Sequence, residues 1–427
     1  MKQRLLNVLG IDEAESSPVL MLLAISFLMG LFLATITVAS QTLFLRDFNE
    51  RTELPIALVV SGVFALLATG LFTFLQGRMP FRFLALGCLV VMLGLTAFIE
   101  YGEQWVSSRN YLHYFGFTMI LPFALISLLV FWGAFNRIFN LRQAKKVIGS
   151  VDVGLDIASI IAFFSIPQIL SFGLPVESLF TIGLFSAGAF LILFFILSQK
   201  FLKGDKMAIR HERDIEKLSI GKFFKNKYIL QMSAFIILAL IALRFVDYSF
   251  YNVSTQLFNQ EDLPIFLSYF EMTIVIFSFL FTTFGTEKIT QNYGLRVTLL
   301  INPLLLIAFT GGALLVGSVF GFDTSANENL IYFFIAVAMS KLLVNSLHDA
   351  IDDPTFKMYY VPIDKSQKID AQTKIEGIVT AFGSIIAGGA IVLINQFQIF
   401  NLLSITAFTL LFLGLWYWVT NKMYKGY

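Results

Sequence analysis

KFLKGDKMAIRHERDIEKLSIGKFFKNK, residues 200–227, is the longest polar segment between long apolar runs, and the fold prediction depends on it. Of the 427 residues, 57% are hydrophobic and 14% are charged. A soluble domain carries about 25% charged residues. The composition therefore excludes a soluble globular enzyme, a disordered chain and a fibre. It predicts an all-α membrane protein that crosses the bilayer many times.

Apolar runs long enough to cross a bilayer, which takes about 20 residues, occur on both sides of this segment. We predict twelve transmembrane helices at residues 18–45, 54–76, 81–100, 111–138, 149–168, 176–199, 229–257, 263–286, 294–319, 328–354, 369–394 and 399–420. The polar segment follows the sixth run. The predicted organisation is an N-terminal six-helix half (1–199), a basic cytoplasmic linker (200–227) and a C-terminal six-helix half (228–427).

The distribution of lysine and arginine predicts the orientation in the membrane. With both termini inside, 25 of the 30 basic residues fall in cytoplasmic segments, nine of them within 200–227. Only Arg46, Arg51 and Arg109 fall in external loops, and Arg244 and Lys341 lie within spans. Basic residues accumulate in cytoplasmic loops. We therefore expect a multi-pass protein of the inner (cytoplasmic) membrane with both termini in the cytoplasm.

Charged side chains inside spans are costly in lipid and are candidates for function. In span seven, Arg244, Asp247 and Tyr251 follow one helical face, and in span eleven Lys368, Gln372, Glu376 and Thr380 recur every four residues. The polar positions of span ten also share a helical stripe: Lys341, Asn345, His348, Asp349 and Asp352. We expect these stripes to line a hydrated cavity for a charged solute. The alternative is that they form interhelical ion pairs that only fix the packing.

The first half carries fewer such groups. Asp152 and Asp156 lie four residues apart in span five, so two like charges share a face and require a cation, a proton or a basic partner. Lys145 and Lys146, just before that span, are candidate partners. The alternative is a solvated helix end.

Motifs for catalysis and metal binding are missing from the sequence. It contains no P-loop, HExxH or nucleophile elbow, and its three histidines are far apart. The single cysteine, Cys88, excludes a disulfide framework. We therefore predict a protein that is not an enzyme and that uses no cofactor, metal or nucleic acid.

Two six-span halves joined by a basic loop resemble the major facilitator architecture, in which the substrate site lies at mid-membrane. Two segments carry a closer resemblance: FWGAFNRIFNLRQAKKVIGSVDVG (131–154) and LHDAIDDPTFKMYYVPIDKSQKIDAQTKIEGIVTAFGSIIAGG (347–389). They resemble the ATP/ADP translocases of plastids and obligate intracellular bacteria, a twelve-span family of this kind. The matching positions are Asn136, Ala144, Lys145, Lys146, Asp353, Pro354, Thr355, Met358, Tyr360, Pro362, Lys365 and Lys368.

The resemblance implies transport of nucleotides, and the departures from it are at charged positions. Gln143 stands where the family has an acid, and Phe356 and Lys357 stand where it has Lys-Glu. In the family these charges are associated with nucleotide transport. We therefore expect an anionic, nucleotide-like or phosphorylated solute, and an activity other than ordinary ATP/ADP exchange.

These observations support two hypotheses. The first is a secondary transporter of the antiporter type, working by alternating access and in contact with membrane lipids. Its predicted substrate-binding residues are Arg244, Asp247, Tyr251, Lys341, Asn345, Asp349, Glu376, Lys145, Lys146, Lys365 and Lys368, and its gating or coupling residues are Asp152, Asp156, Asp353 and Lys357. The second is a membrane module without transport activity that senses a ligand, binds lipid or anchors partners. Additional cytosolic domains or partner proteins would favour the second, and saturable uptake would favour the first.

Overall fold

The computed structural model describes residues 16–76, 78–139, 141–202, 223, 225–322, 329–363, 367, 371–372, 374–397 and 401–426. Within these residues, twelve helices are long and apolar enough to cross a membrane. Numbered α1–α12 in chain order, the corresponding α-helices are Ser16–Asp47, Glu53–Leu75, Phe81–Tyr101, Arg109–Ile138, Leu141–Ser171, Ser178–Phe201, Lys227–Leu257, Asp262–Phe281, Glu287–Phe320, Leu330–Leu347, Thr380–Gln396 and Leu402–Gly426.

Every helix overlaps a predicted span, which confirms the predicted all-α membrane fold class. The largest difference is at the start of α11, which begins at Thr380 and not at 369, because the π turn Lys374–Val379 precedes it. Helices α5 and α9 begin at Leu141 and Glu287, earlier than the apolar runs. A helix continues past its apolar stretch because its backbone hydrogen bonds do not depend on lipid. In α9 the apolar run begins at Gly294, where φ is 76° and the helix is kinked. Glycine adopts this conformation without a steric penalty.

Three π turns interrupt or extend helices after residue 257. They are Thr282–Thr286 after α8, His348–Asp352 after α10, and Lys374–Val379 before α11. The first two are in contact, because Thr286 Oγ1 donates a hydrogen bond to the Ala350 carbonyl at 2.7 Å. After the second π turn the helix of α10 continues through Asp353–Met358. Such turns are rare and frequently occur at functional sites.

The helices form two compact units. Unit 1 comprises the described residues within Met1–Phe44, Leu67–Asp214 and Leu267–Met272. Aromatic pairs fill its interior: Phe32 lies 5.6 Å from Phe123, and Phe44 stacks on Phe117 at 4.3 Å. Its α1 and α5 are in close contact, since a Cβ at Gly30 would lie 2.9 Å from the Ala158 Cβ.

Unit 2 comprises the described residues within Leu45–Leu66, Ile215–Phe266 and Thr273–Tyr427. Its core contains Phe235, which packs on Trp416 at 5.7 Å and on Phe356 at 5.1 Å. The predicted division of the chain at 200–227 stays a prediction. The structure adds that residues 45–66, which include the end of α1 and the first part of α2, belong to the same compact unit as α7 and α11.

The start of α2 packs against α11 within unit 2. A Cβ at Gly388 would lie 2.9 Å from the Val59 nitrogen and 3.0 Å from the Pro55 carbonyl oxygen, so only glycine permits this approach. Asn395 Nδ2 extends the contact by donating hydrogen bonds to the Arg51 carbonyl at 2.7 Å and to the Tyr248 hydroxyl at 3.0 Å. Close backbone contact at small residues is the usual way in which membrane helices associate.

Candidate functional site

Helix α7 presents a charged face inside unit 2. The helix begins at a capped end, where Asn226 Oδ1 accepts hydrogen bonds from the Tyr228 and Ile229 backbone nitrogens. Along its length Arg244 and Asp247 are three residues apart, so they meet on one side of the helix. Arg244 Nη1 lies 3.2 Å from Asp247 Oδ2.

A second cation reaches the same carboxylate from α10. Lys341 Nζ lies 2.7 Å from Asp247 Oδ1, and both side chains are less than 10% exposed. The ammonium also lies 3.5 Å from the Tyr251 hydroxyl, and 4.9 Å and 5.1 Å from the ring centres of Tyr251 and Phe250. We call Arg244, Asp247 and Lys341 the ion triad. It holds two positive charges and one negative charge, so its net charge is +1.

The ion triad is chemically suited to an anion. A buried charge would cost at least about 2.5–3.5 kcal/mol if it faced lipid, and pairing with Asp247 offsets this cost for the two cations. Within the triad one carboxylate faces two cations, and both cations are groups that bind negatively charged ligands. Bonds of Arg and Lys to phosphate or carboxylate oxygens are charge-assisted and strong. The structure thus brings together four predicted residues: Arg244, Asp247, Tyr251 and Lys341.

Other predicted residues lie further along α10 and α11. Asn345 Nδ2 donates to the Lys341 carbonyl at 3.0 Å, one turn after the lysine. Asp349 is exposed. Glu376 lies in the π turn before α11 and accepts a 3.0 Å hydrogen bond from Gln372 Nε2. The roles predicted for these residues stay predictions.

The polar stripe of α10 is divided between two neighbouring helices. Lys341 contacts α7, whereas Asp352 accepts a 2.6 Å hydrogen bond from Asn302 Nδ2 of α9. In a regular α-helix these two positions would share a face. The π turn His348–Asp352 inserts an additional residue and rotates the following face by about 100°. This turn explains why the single stripe expected from the sequence is not retained.

The position where the related family carries a lysine is a core position here. Phe356 is buried, stacks on Phe235 with an interplanar angle of 15°, and meets Tyr360 at 5.5 Å. Lys357 is exposed, as expected for the next residue on a helix. Burial raises the pKa of the Tyr360 hydroxyl above its ordinary value, and the negative charges of Glu376 and Asp353 add to this effect. A phenyl ring has no hydrogen-bond donor, so Phe356 cannot bind a phosphate as a lysine at this position would.

Several predicted residues lie outside the described side chains. They are Lys145, Lys146, Asp152, Lys365 and Lys368. Asp156 is half-buried on α5, and Asp353 is half-exposed at the start of the segment Asp353–Met358, beside His348.

Asn302 is not among the residues predicted from the sequence, although it is fully buried and contacts Asp352. The signal was present, because Asn302 is the only amide within the apolar run VTLLINPLLL of span nine. A polar side chain inside a span needs a partner on another helix. Which helix would supply that partner was not evident from the sequence.

Comparisons with known proteins agree with this architecture. The family model described as TLC ATP/ADP transporter matches residues 62–427. The protein named ADP,ATP carrier protein 1 of Chlamydia trachomatis serovar D is 22% identical over 293 residues, covering 62% of this chain and 54% of that protein. The protein of the same name from Chlamydia muridarum is 20% identical over 344 residues, covering 74% and 61%. The chain thus spans a little over half the length of these curated relatives.

Solved structures share the fold. The POT family transporter PepTSo superposes with a TM-score of 0.68 at 14% identity, covering 96% of this chain and 98% of that one. The nucleoside transporter NupG gives a TM-score of 0.65 at 13% identity, covering 96% and 99%. The xylose transporter XylE from E. coli gives 0.61 at 13% identity, covering 92% and 94%.

These similarities confirm the major facilitator-like fold and the family resemblance found in the sequence. Twelve apolar helices make the protein an integral multi-pass membrane protein. The family model covers most of the chain, including all of α7, α10 and the ion triad. The chain belongs to the TLC ATP/ADP transporter family.

Proposed function

We propose that the protein is a secondary transporter for an anionic solute of the nucleotide-like or otherwise phosphorylated class, and that it works by alternating access. The observation that carries this proposal is the ion triad, whose buried Lys341 and Arg244 share one carboxylate. Family membership supports a nucleotide-related solute. The alternative role, a sensor or anchor without transport activity, has no comparable observation in its favour among the described residues.

The ion triad would bind the solute through exchange of partners. In the structure, Asp247 Oδ1 lies 2.7 Å from Lys341 Nζ and keeps the ammonium in place. An entering phosphate oxygen would take part of this interaction, because a charge-assisted bond to a phosphate is of comparable strength. Asp247 would then stay paired with Arg244. The Lys341 ammonium would thus become a binding group when the solute is present.

We propose a solute preference that differs from ordinary ATP/ADP exchange. Exchange of ATP for ADP requires several basic groups on neighbouring phosphates. Phe356 occupies a position where the family has a lysine, and it is buried against Phe235 and not available to solute. Lys357 is exposed on another side of the helix. Fewer basic groups favour a solute with fewer phosphate charges than ATP.

The proposed orientation places both termini and residues 200–227 in the cytoplasm of an inner-membrane protein. The asymmetry of basic residues, 25 against three, supports this orientation. A single cysteine introduced at Lys217 in a variant without Cys88 tests it. The cysteine should react with a membrane-impermeant reagent only after the cells are opened, and labelling of intact cells would contradict the orientation.

Transport in proteoliposomes tests the function. We expect saturable uptake of at least one compound among radiolabelled ATP, ADP, AMP, a sugar phosphate and inorganic phosphate. Lys341→Met should weaken uptake by about tenfold or more, since a hydrogen bond to a charged group contributes about 1.5–3 kcal/mol. Lys288→Met, which removes an exposed lysine of the same unit, is the matched control.

Three results would contradict these proposals. Absence of uptake for every compound, together with an intact folded protein, would favour the sensor or anchor. Equal uptake by the Lys341→Met and Lys288→Met variants would remove the ion triad from the binding site. Robust counterflow of labelled ATP into ADP-loaded vesicles would show that the loss of the lysine at position 356 does not prevent ATP/ADP exchange.

A further inference from the structure

A second polar cluster lies at the contact of α9 and α10. Asn302 and Asp352 are 0% and 1% exposed, and the amide Nδ2 donates to Asp352 Oδ2 at 2.6 Å. Asn302 precedes Pro303 within α9, and Asp352 ends the π turn of α10. Asp352 therefore lies at an irregular point of its helix, and Asn302 lies next to a proline.

The hydrogen bonds of this cluster are incomplete in a specific way. Asn302 Oδ1 and Asp352 Oδ1 are both buried and have no hydrogen-bond partner among the described residues. Each of these atoms is an acceptor when the carboxyl group is ionised. Because the amide and the carboxylate are already joined by one bond, the two orphaned oxygens belong to adjacent groups. A buried acceptor without a donor costs free energy. One added proton between the two oxygens would give both of them a hydrogen-bond partner.

Few charged groups of the described chain face Asp352. On its own helix, His348 Nδ1 lies 3.7 Å from Asp352 Oδ2, and His348 Nε2 lies 3.7 Å from Asp353 Oδ1. Asp349 and Asp353 add negative charge beside this imidazole.

The basic side chains of the neighbouring helices either have other partners or are exposed to solvent. Lys341 is paired with Asp247, and Arg296 of α9 is bonded to Asn421 Oδ1 at 2.9 Å. Lys288 and Lys357 are exposed. Thr286, which reaches this turn from α8, is uncharged and donates to the Ala350 carbonyl. His348 is thus the described basic side chain in closest reach of Asp352.

We propose that Asp352 is a proton-binding site, with Asn302 as its recognition partner and His348 as the proton donor and acceptor that connects it to water. A proton on Asp352 Oδ1 changes that oxygen from an acceptor to a donor, and the carbonyl oxygen of Asn302 is the acceptor beside it. The two groups then form a paired acid–amide ring with two hydrogen bonds. One proton satisfies both orphaned atoms.

The exposed fractions of three neighbouring side chains indicate a path for protons between water and Asp352. The side chain of Asp353 is 50% exposed, that of His348 is 19% exposed and that of Asp352 is 1% exposed. The imidazole lies between the two carboxylates and can accept a proton on one nitrogen while it releases one from the other. A proton taken from water at Asp353 would pass through His348 to Asp352 Oδ2, which lies 3.7 Å from Nδ1, with no net change at the imidazole. Rotation of the carboxyl group about its Cβ–Cγ bond then exchanges the two oxygens, so that the protonated oxygen donates to the Asn302 carbonyl oxygen and the other accepts from Nδ2.

Coupling of this proton to solute movement rests on the proposed transport function. Helix α10 carries Lys341 of the ion triad and leads into the π turn that ends at Asp352. The charge state of Asp352 changes the contact of α10 with α9. We therefore expect uphill solute uptake to be driven by a proton gradient, whereas exchange of solute across the membrane would not need it.

Infrared spectroscopy tests the proton site without any solute. The difference spectrum of wild-type protein in detergent, acidic minus alkaline buffer, should contain a carbonyl band of a protonated carboxylic acid. Asp352→Asn should remove this band, and Asp262→Asn, which changes an exposed acid of α8, should leave it unchanged. Asn302→Leu is the second variant. It retains the carboxyl group and removes its partner, so the band should shift and not disappear.

Transport assays distinguish the proton site from its coupling to solute movement. Asp352→Asn should retain counterflow of the solute identified above and lose accumulation driven by an inward proton gradient. A band that persists in Asp352→Asn would overturn the proton site, whether or not transport is found. Uptake that depends on sodium at constant pH, and not on the proton gradient, would overturn it in favour of a sodium site. Loss of the band with unchanged proton-driven accumulation would overturn the coupling alone.

Discussion

The ion triad includes a residue of α10, and the Asp352–Asn302 pair includes a residue of the π turn that follows α10. The two clusters compensate their buried charge in opposite ways. In the triad, Asp247 has two cationic partners at 2.7 and 3.2 Å, so positive charge is in excess. In the pair, Asp352 has a neutral amide at 2.6 Å and an imidazole at 3.7 Å, and one carboxyl oxygen has no donor among the described residues. The first cluster pairs its acid with two cations, and the second pairs its acid with a neutral amide.

This contrast shows that a polar stripe in one span can serve two purposes. A cluster that contains an arginine, which stays protonated, keeps a cation that suits the binding of an anionic solute. A carboxyl group without a permanent cation changes charge with its surroundings, which suits coupling. The π turn separates the clusters, because it places Asp352 against α9 whereas Lys341 of α10 contacts α7.

The largest effect is expected from Asp247→Asn, which breaks the first cluster. It leaves Lys341 and Arg244 buried without their carboxylate, and removal of one partner of a buried ion pair costs about 3–5 kcal/mol. We expect a fall of this size in the free energy of unfolding, measured by chemical denaturation in detergent. The double variant Asp247→Asn, Lys341→Met should recover part of the loss, because it removes one of the unpaired cations.

The matched control for this change is Asp262→Asn, which alters an exposed acid in the first turn of α8. Its free energy of unfolding should change by less than about 0.5 kcal/mol. If Asp247→Asn is as mild as this control, Asp247 does not stabilise the buried cations and the two clusters do not differ in this way.

Asn302→Leu should have the next largest effect, and it acts on the second cluster. Loss of the amide leaves another buried oxygen of Asp352 without its donor, which costs about 1–3 kcal/mol in the free energy of unfolding. The effect should vanish in the double variant Asn302→Leu, Asp352→Leu, since no polar group is then left unsatisfied. A double variant that is less stable than the single one would show that the pair contributes through packing.

Gly388→Ala is a steric change in the same unit and involves no charge. The new Cβ would lie 2.9 Å from the Val59 nitrogen and 3.0 Å from the Pro55 carbonyl oxygen, and backbone atoms cannot easily move away. Overpacking costs about 1–3 kcal/mol, and alanine regains about 0.5–1 kcal/mol in helix propensity. We expect a net loss of about 1–2 kcal/mol in the free energy of unfolding.

The adjacent glycine provides the control for that change. A Cβ at Gly389 would meet no atom within 4 Å, so Gly389→Ala should be neutral or slightly stabilising. Equal losses at both positions would mean that α2 does not approach α11 as closely as the structure indicates.

The smallest effect is expected from Arg244→Met. The Arg244 side chain is 21% exposed, in contrast to 4% for Lys341, so solvent screens more of its charge. We expect solute affinity to fall by at most about fivefold, corresponding to about 1 kcal/mol, and by less than in Lys341→Met. The concentration that gives half-maximal uptake measures this difference. A larger loss for Arg244→Met would identify the arginine as the principal anion-binding group.

The spanning helices and the candidate residues on each of them could be predicted from the amino-acid sequence. Their positions follow from apolar runs, because a segment in lipid must satisfy its backbone internally and must present apolar side chains. The pair Arg244–Asp247 was also evident, since residues three apart on a helix are neighbours. The family resemblance was carried by short segments of the sequence.

The partners of these residues, in contrast, depend on tertiary packing. Lys341 and Asp247 are 94 residues apart, and helical periodicity places each on a face without stating which helix that face meets. The contact of Asp352 with Asn302 of α9 depends on the π turn. The burial of Phe356 depends on its packing against Phe235. Periodicity is a local property of one helix, whereas the register and rotation of packed helices result from all their side-chain contacts together.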